Sequence, residues 1–159
     1  KVVTNLLRRV ALRVSLREET LVFDNYTVKD GETPEILAHK LYDDPQLHWV
    51  ILLINNITDR YHQWPKPYIQ HLSYLNNKYP TATKLNALHH YEISQTSGDT
   101  TVKINIGKDN TDFPSATAIT NVEFEDDLQE KQRLIRLLDP SYLSQFVEEF
   151  EELMEESAI

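Results

Sequence analysis

The stretch from Tyr26 to Ile57, YTVKDGETPEILAHKLYDDPQLHWVILLINNI, constrains this chain most, because nearly every join in it carries its own stop signal. Tyr26 to Lys29 alternates as a strand does, with Tyr26 and Val28 on one face and Thr27 and Lys29 on the other. Asp30-Gly31 predicts a turn, since glycine takes a positive φ freely and Asp can bond its own backbone. Thr33 predicts a helix cap, and Pro34 sits at the first helical position, where a missing N–H costs nothing. Ile36, Leu37 and Leu41 make one apolar face of that helix, with Glu32, Glu35, His39 and Lys40 around it. Asp44-Pro45 repeats the device and opens a second helix carrying Leu47, Trp49, Val50, Ile51, Leu52, Leu53 and Ile54, which Asn55-Asn56 ends. A membrane span needs ~20 apolar residues, so this shorter run is a core helix or a partner-facing one. Being apolar on two sides, it needs cover on two sides. The small strand–helix unit supplies one cover, and something else must supply the other.

The β-α-α order, the Y-x-V-x-x-G-[DE]-T opening and the paired asparagines after the second helix resemble a LysM module. Tyr26, Val28, Gly31, Glu32, Thr33, Ile36, Ala38, Leu41, Tyr42 and Asn55 fall where that pattern wants them. A LysM module closes within a few residues by a second strand. Here the chain runs on through WPKPYIQHLSYLNNKYP and reaches a candidate closing strand only at Arg133 to Leu138, before Asp139-Pro140. Three further features are L-Y-x-D-P-x-L-H-W-V-I-L-x-I-N-N at the centre, His89-His90-Tyr91 before a hairpin, and a closing L-L-D-P-x-Y-L. With them the chain is similar, over most of its length, to the LysM-like baseplate wedge subunits of contractile-tailed (T4-like) bacteriophages.

That resemblance implies an α+β fold with a LysM-like βααβ core interrupted by a long insertion of loop, helix and β-hairpin. The implied division is an N-terminal arm or strand over 1–25, a LysM-like domain over 26–140, and a C-terminal acidic amphipathic helix over 141–159. Within the domain, 26–57 and 133–140 form the core and 58–132 the insertion. An interrupted module demands that residues 133 to 138 pair with 26 to 29 in one antiparallel sheet.

At 159 residues the chain is long enough for one domain with a real core and appendages. Its formal charge of −9 argues against nucleic acid as the main partner. Residues 1 to 17 hold Lys1, Arg8, Arg9, Arg13 and Arg17 and no acid, which leaves −14 on the remainder. A basic arm on an acidic body marks an intermolecular or self-docking contact, with a solvated strand bearing scattered Arg as the equal alternative. Val10, Leu12, Val14 and Leu16 alternate as in a strand, while Leu6, Leu7, Val10 and Val14 fit one helix face. A short irregular or helical start followed by a strand from about Val10 is the preferred reading. The absence of cysteine excludes a disulfide framework and fits a reducing cytoplasm. No signal peptide or membrane span is visible.

Beyond Ile57, Trp64, Pro65, Pro67, Tyr68, Tyr74, Tyr79 and Pro80 follow no clean period, which suits a stretch that wraps a surface. Pro67 to Asn77 still predicts one helix with Ile69, Leu72 and Leu75 inward. Residues 90 to 106 predict a hairpin turning at Thr96-Ser97-Gly98-Asp99. Alone it would be marginal in water, so it must lean on the core or on another chain. Gly107 to Thr120 reads as a loop. Val122 to Gln132 predicts a helix with Phe124 and Leu128 inward and Glu123, Glu125, Asp126, Asp127 and Glu130 outward. A last helix opens at Asp139-Pro140, with Leu143, Phe146, Val147, Phe150, Leu153 and Met154 at helical spacing. It docks on its own domain or on a neighbouring chain, the two with equal weight.

No residue pattern predicts catalysis, a cofactor or a metal. Gly31, Gly98 and Gly107 make no phosphate-cradling loop. The six histidines form no ligand pattern, and His89 and His90, adjacent on a strand, should point apart. Asp43-Asp44 reads as a cap and Asp126-Asp127 as a solvated helix face. No acid sits in an apolar run as a glycosidase requires, and no nucleophile elbow is present. The chain is therefore read as no enzyme.

Two binding readings follow from the resemblance. LysM behaviour implies binding N-acetylglucosamine polymers of peptidoglycan or chitin, in a groove between Asp30, Gly31, Glu32 and Thr33 and the loop from Asn55 and Asn56. Here that second loop has grown into the whole of residues 58–132, which is expected to cover or rebuild the groove. The baseplate resemblance implies instead a structural subunit of the virion tail baseplate, assembled in the host cytoplasm. Such a subunit holds other baseplate wedge proteins together, in multiple copies around the tail axis. An over-apolar helix, a proline–aromatic wrap and two oppositely charged ends are surfaces suited to neighbours. Trp49, Trp64, Tyr68, Tyr74, Phe146 and Phe150 are the candidate anchors, although core packing is the commoner fate of a tryptophan.

Overall fold

A computed structural model describes residues 22–110 and 112–155. Among these are five strands and seven α-helices, an α+β architecture with two antiparallel sheets. The arm over residues 1–17 and the turn ahead of Val22 lie outside the described residues. The chain divides into two compact units, one running to Pro65 and resuming at Gln132, the other Lys66–Lys131.

In the first unit, β1 (Phe23–Thr27) pairs antiparallel with β5 (Leu134–Leu138), Phe23 opposite Leu138 and Thr27 opposite Leu134. Of the expected pairing of 26–29 with 133–138, Tyr26 and Thr27 lie opposite Ile135 and Leu134, and the first strand runs over 23–27, not 26–29. Val28 leaves the strand yet still donates its N–H to the Arg133 carbonyl at 2.9 Å.

α1 (Pro34–Tyr42) starts where Thr33 accepts from the Ile36 N–H at 3.3 Å. Its inward stripe is Pro34, Leu37, Ala38 and Leu41, at helical spacing; Ile36, expected inward, falls off that stripe and is exposed. A 3-10 turn (Pro45–Leu47), capped by Asp44 accepting from the Gln46 N–H at 2.8 Å, leads into α2 (His48–Ile54).

α2 is covered on two sides, as its composition required. Ile51 packs with Val28, Leu37, Ala38, Trp64, Ile135 and Leu137. Val50 and Ile54 pack with Phe23 and Leu138, flanked by Trp49, Leu143 and Phe146. The second cover is α7 (Leu143–Glu155), which follows a 3-10 turn at Pro140–Tyr142 capped by Asp139. α3 (Arg60–Gln63) is a single turn capped by Asp59.

Side chains close the edge of β5 that β1 leaves open. Asn55 donates from Nδ2 to the Arg136 carbonyl and accepts at Oδ1 from the Arg136 N–H, both at 2.8 Å. The Tyr42 hydroxyl donates to the Leu138 carbonyl at 3.1 Å. An open strand edge invites pairing with another chain, and here the helices occupy it.

The second unit holds α4 (Tyr68–Lys78), the short α5 (Ala82–Leu85), β2 (Leu88–Ser97), β3 (Thr100–Gly107), β4 (Thr117–Thr120) and α6 (Asn121–Arg133), whose last two residues belong to the first unit. The sheet order is β3–β2–β4. The hairpin forms as expected around Gly98, at φ 60. The segment read as a loop over 107–120 ends in β4, paired with β2.

Three expectations are corrected in this unit. On α4, His71 and Leu75 are buried while Ile69 and Leu72 are exposed. On α6, Leu128 is exposed and Glu125, expected outward, is 3 % exposed. The cause is polar: Glu125 accepts from the Lys78 ammonium at 2.6 Å and from the Tyr79 and Tyr74 hydroxyls at 3.0 and 3.2 Å. His71 Nε2 and Asp126 Oδ1 lie 2.7 Å apart alongside. Third, His89 and His90 meet instead of pointing apart, because the register of β2 against β4 shifts between Leu88 and His90. Among the described residues of this unit, Leu75 is the one buried apolar side chain.

Candidate partner-binding surface

Three of the aromatic candidates come together. The Trp49 ring centre lies 4.5 Å from Phe150 and 6.3 Å from Phe146, so the last helix docks on its own unit through half-buried aromatic rings. Trp64 is placed elsewhere. It is 6 % exposed in the first core, and its indole N–H donates to the Glu32 carbonyl at 2.9 Å. It is a core side chain, held by packing and by a bond that only an indole can make from there. Tyr74 is built into the polar interior of the second unit, with the Lys66 and Lys78 ammonium groups 4.9 and 5.3 Å from its ring centre. Tyr68 stands on the surface of α4, 63 % exposed.

The loop residues are occupied by their own fold. Gly31 takes φ 76, a conformation costly for any side chain. Glu32, 8 % exposed, accepts from the Tyr26 hydroxyl and the Lys29 N–H at 2.9 Å and from the Lys40 ammonium at 2.6 Å. Burial acts to raise its pKa, but Lys40, the Lys29 amide and Tyr26 outweigh it and hold the carboxyl below its ordinary value. The same contact, after burial, pushes the Tyr26 hydroxyl up. Glu32 is thus a fixed anion that ties strand, turn and helix together. Thr33 is spent on the α1 cap and Asn55 on β5. Asp30 and Asn56 are exposed, Asn56 at φ 56. Among the described residues, no group of three or more His, Cys, Asp or Glu side chains is placed to hold a metal ion, and no helix is long and apolar enough to cross a membrane.

Sequence reasoning missed the exposed apolar surface of the second unit. Ile69 and Leu72 stand beside Tyr68 on α4, 76 % and 40 % exposed. On β3, Val102 and Ile104 are also exposed, Ile104 opposite Ile93 on the same hairpin face. The missed signal is a second stripe at helical spacing, His71, Tyr74, Leu75 and Lys78, which competes with the apolar one for the interior and wins through its bonds to α6.

Residues 15–95, half of the chain, match the family model described as base plate wedge protein 53. A stretch of 39 residues, 24 % of this chain, is 44 % identical to the baseplate wedge protein gp53 of Enterobacteria phage T4. That stretch spans 20 % of the phage T4 protein, so the match covers about a fifth of its length. On the family match over half its length, this chain belongs to the base plate wedge protein 53 family, structural proteins of the bacteriophage tail baseplate.

Proposed function

We propose that this chain is a scaffold subunit that clamps neighbouring wedge proteins together as the baseplate assembles, in multiple copies around the tail axis. The observation that carries the reading is the apolar face of α4, where Ile69 and Leu72 stand exposed beside Tyr68 while the buried residues of the same helix are His71 and Leu75. An apolar face kept outward on a well-bonded helix suits a partner interface, with Tyr68 as its aromatic anchor. The Trp49–Phe146–Phe150 cluster is half-exposed and offers a second contact of the same kind. The role is structural and not catalytic.

The first unit reads as a LysM-like core opened by an insertion, since a strand, two helices and a returning antiparallel strand follow in that order. In such a core the sugar groove would lie at Asp30 to Thr33 and Asn55 to Asn56. The indole of Trp64 against Glu32 and the internal bonds of Glu32, Thr33 and Asn55 favour a buttress there over an open groove.

The test mixes the purified chain, in parallel, with the other wedge proteins of its own genome and with insoluble peptidoglycan. A complex of defined mass with the wedge proteins is expected, lost in the double variant Ile69→Asp, Leu72→Asp while its melting is unchanged. Full retention of the complex by that variant would remove α4 from the interface. Saturable binding to peptidoglycan, competed by N-acetylglucosamine oligomers, would replace the scaffold reading with the glycan one.

A further inference from the structure

The rings of His89 and His90 approach with their Nδ1 atoms 2.7 Å apart and their planes at 81°. At that distance one nitrogen carries the hydrogen and the other the lone pair. His90 is 4 % exposed, and its Nε2 lies 3.0 Å from Glu92 Oε1, which as a carboxylate only accepts. Neutral His90 therefore donates to Glu92 from Nε2 and receives the His89 N–H at its bare Nδ1. One added proton is accommodated, because one Nδ1 hydrogen can still face one Nδ1 lone pair. A second proton sets two N–H groups against each other.

The same two rings hold α6 to β2. His89 stacks flat on Phe124, with ring centres 3.9 Å apart and planes at 10°, and His90 meets Phe124 edge-on at 5.9 Å. We propose that the His89–His90 pair is an acid-operated latch: docked on Phe124 it holds one proton at most, and a second proton releases α6 from β2. The charged groups facing the pair come from four places: Glu92 on β2, Glu125 on α6, Lys78 on α4, and Lys108 after β3. Glu92 and Glu125 favour protonation, but each is already engaged, Glu125 by Lys78 at 2.6 Å and Glu92 by Lys103 at 4.0 Å. Burial first, then His90, with Lys108 and Lys78 adding to it, hold the His89 imidazole below its ordinary value of 6.5 against the pull of Glu125. A base so depressed contributes its full stability above that ordinary value and loses it as pH falls below. Little apolar burial opposes the opening, since Leu75 is the one buried apolar side chain among the described residues of the unit.

The test is hydrogen exchange of the full chain at about pH 7.5 and about pH 5, either side of the histidine range, corrected for intrinsic rates. In the acid sample, residues 88–97 and 121–131 are expected to exchange more than about tenfold faster, while 48–54 and 134–138 change less than about twofold. His89→Phe keeps a ring on Phe124 but removes one titrating partner, and it is expected to abolish the acid response. An unchanged wild type, an equal rise in both units, or a full response in His89→Phe would each overturn the latch. Should that variant not fold, the wild-type imidazole resonances decide. Two steps separated by more than about one pH unit support the latch, and two overlapping steps refute it.

Discussion

Replacing Asn55 with alanine should unfasten the first unit at a single point. The side chain makes three bonds, to the Ile51 carbonyl, the Arg136 carbonyl and the Arg136 N–H, each at 2.8 Å. The Ile51 carbonyl keeps the Asn55 backbone N–H at 3.3 Å, so truncation leaves it satisfied. The Arg136 N–H and carbonyl have only Asn55 on that side, and both lose their partner. At roughly 0.5–1.5 kcal/mol net for each bond, the loss is about 2 kcal/mol, or about thirtyfold in the folding equilibrium. Asn55→Asp separates the terms. It keeps an acceptor for the N–H but points a carboxylate at a carbonyl, and it should cost at least as much as alanine. Both tryptophans, Trp49 and Trp64, lie in the first unit, so urea unfolding followed by indole fluorescence reports on it directly. A midpoint lowered by about 1 M with an unchanged slope is expected. A loss below about 0.5 kcal/mol for alanine, or wild-type stability for Asn55→Asp, would refute the edge-closing role.

Trp64→Ala should cost about 3–5 kcal/mol in the same assay, and Trp64→Phe, which leaves the Glu32 carbonyl unpaired, about 1 kcal/mol; a near-neutral Trp64→Ala would take the ring out of the core. The Tyr42 hydroxyl is pushed up to about 12 by burial, so the folded chain favours its neutral form. Stability is then present below the ordinary value of 10.0 and falls as pH rises toward about 12, a loss that Tyr42→Phe should flatten in alkaline denaturation. Arg136 enters the edge bonds through its backbone alone, so Arg136→Ala should stay within about 0.5 kcal/mol of wild type. Arg136→Pro removes the donated N–H and should cost about 3 kcal/mol or more by urea unfolding; equal effects of the two would contradict the backbone account.

What could be read from the letters was local. Thr33-Pro34, Asp44-Pro45 and Asp139-Pro140 each announce a helix start by chemistry that acts within three residues, and the caps form in all three places. The closing strand was expected because the LysM resemblance requires one, and β5 does pair with β1. The faces of α4 and α6 were not legible. Hydrophobic periodicity puts Ile69, Leu72 and Leu128 inside, yet the carboxylate of Glu125 collects three donors from residues 46 to 51 positions away and turns both helices over. No short-range pattern marks a buried anion whose partners lie on another helix. Trp64 was ambiguous for a related reason: an aromatic beside prolines reads as a surface wrap until its N–H is seen to reach a carbonyl 32 positions back.

The family match ends at residue 95, while the strand that closes the first unit lies at 134–138. The bonds across that gap explain how a fold can depend on a segment that its most recognisable part does not contain. From inside the matched stretch come the Asn55 and Tyr42 side chains and the Val28 N–H. What they meet outside it is main chain: the Arg136 N–H and carbonyl, the Leu138 carbonyl and the Arg133 carbonyl. The side chains that reach back, Gln132 to the His62 carbonyl and Arg133 Nε to the Val28 carbonyl, each at 2.9 Å, leave from the end of α6, ahead of β5. Main-chain groups are the same in every residue but proline, so these bonds specify the length and register of β5 and not particular letters. Only the inward positions Ile135, Leu137 and Leu138, all buried, must stay apolar. The specific letters therefore concentrate on one side of the closure, in the loop, the two helix caps and the paired asparagines, and the returning strand needs little beyond its pattern.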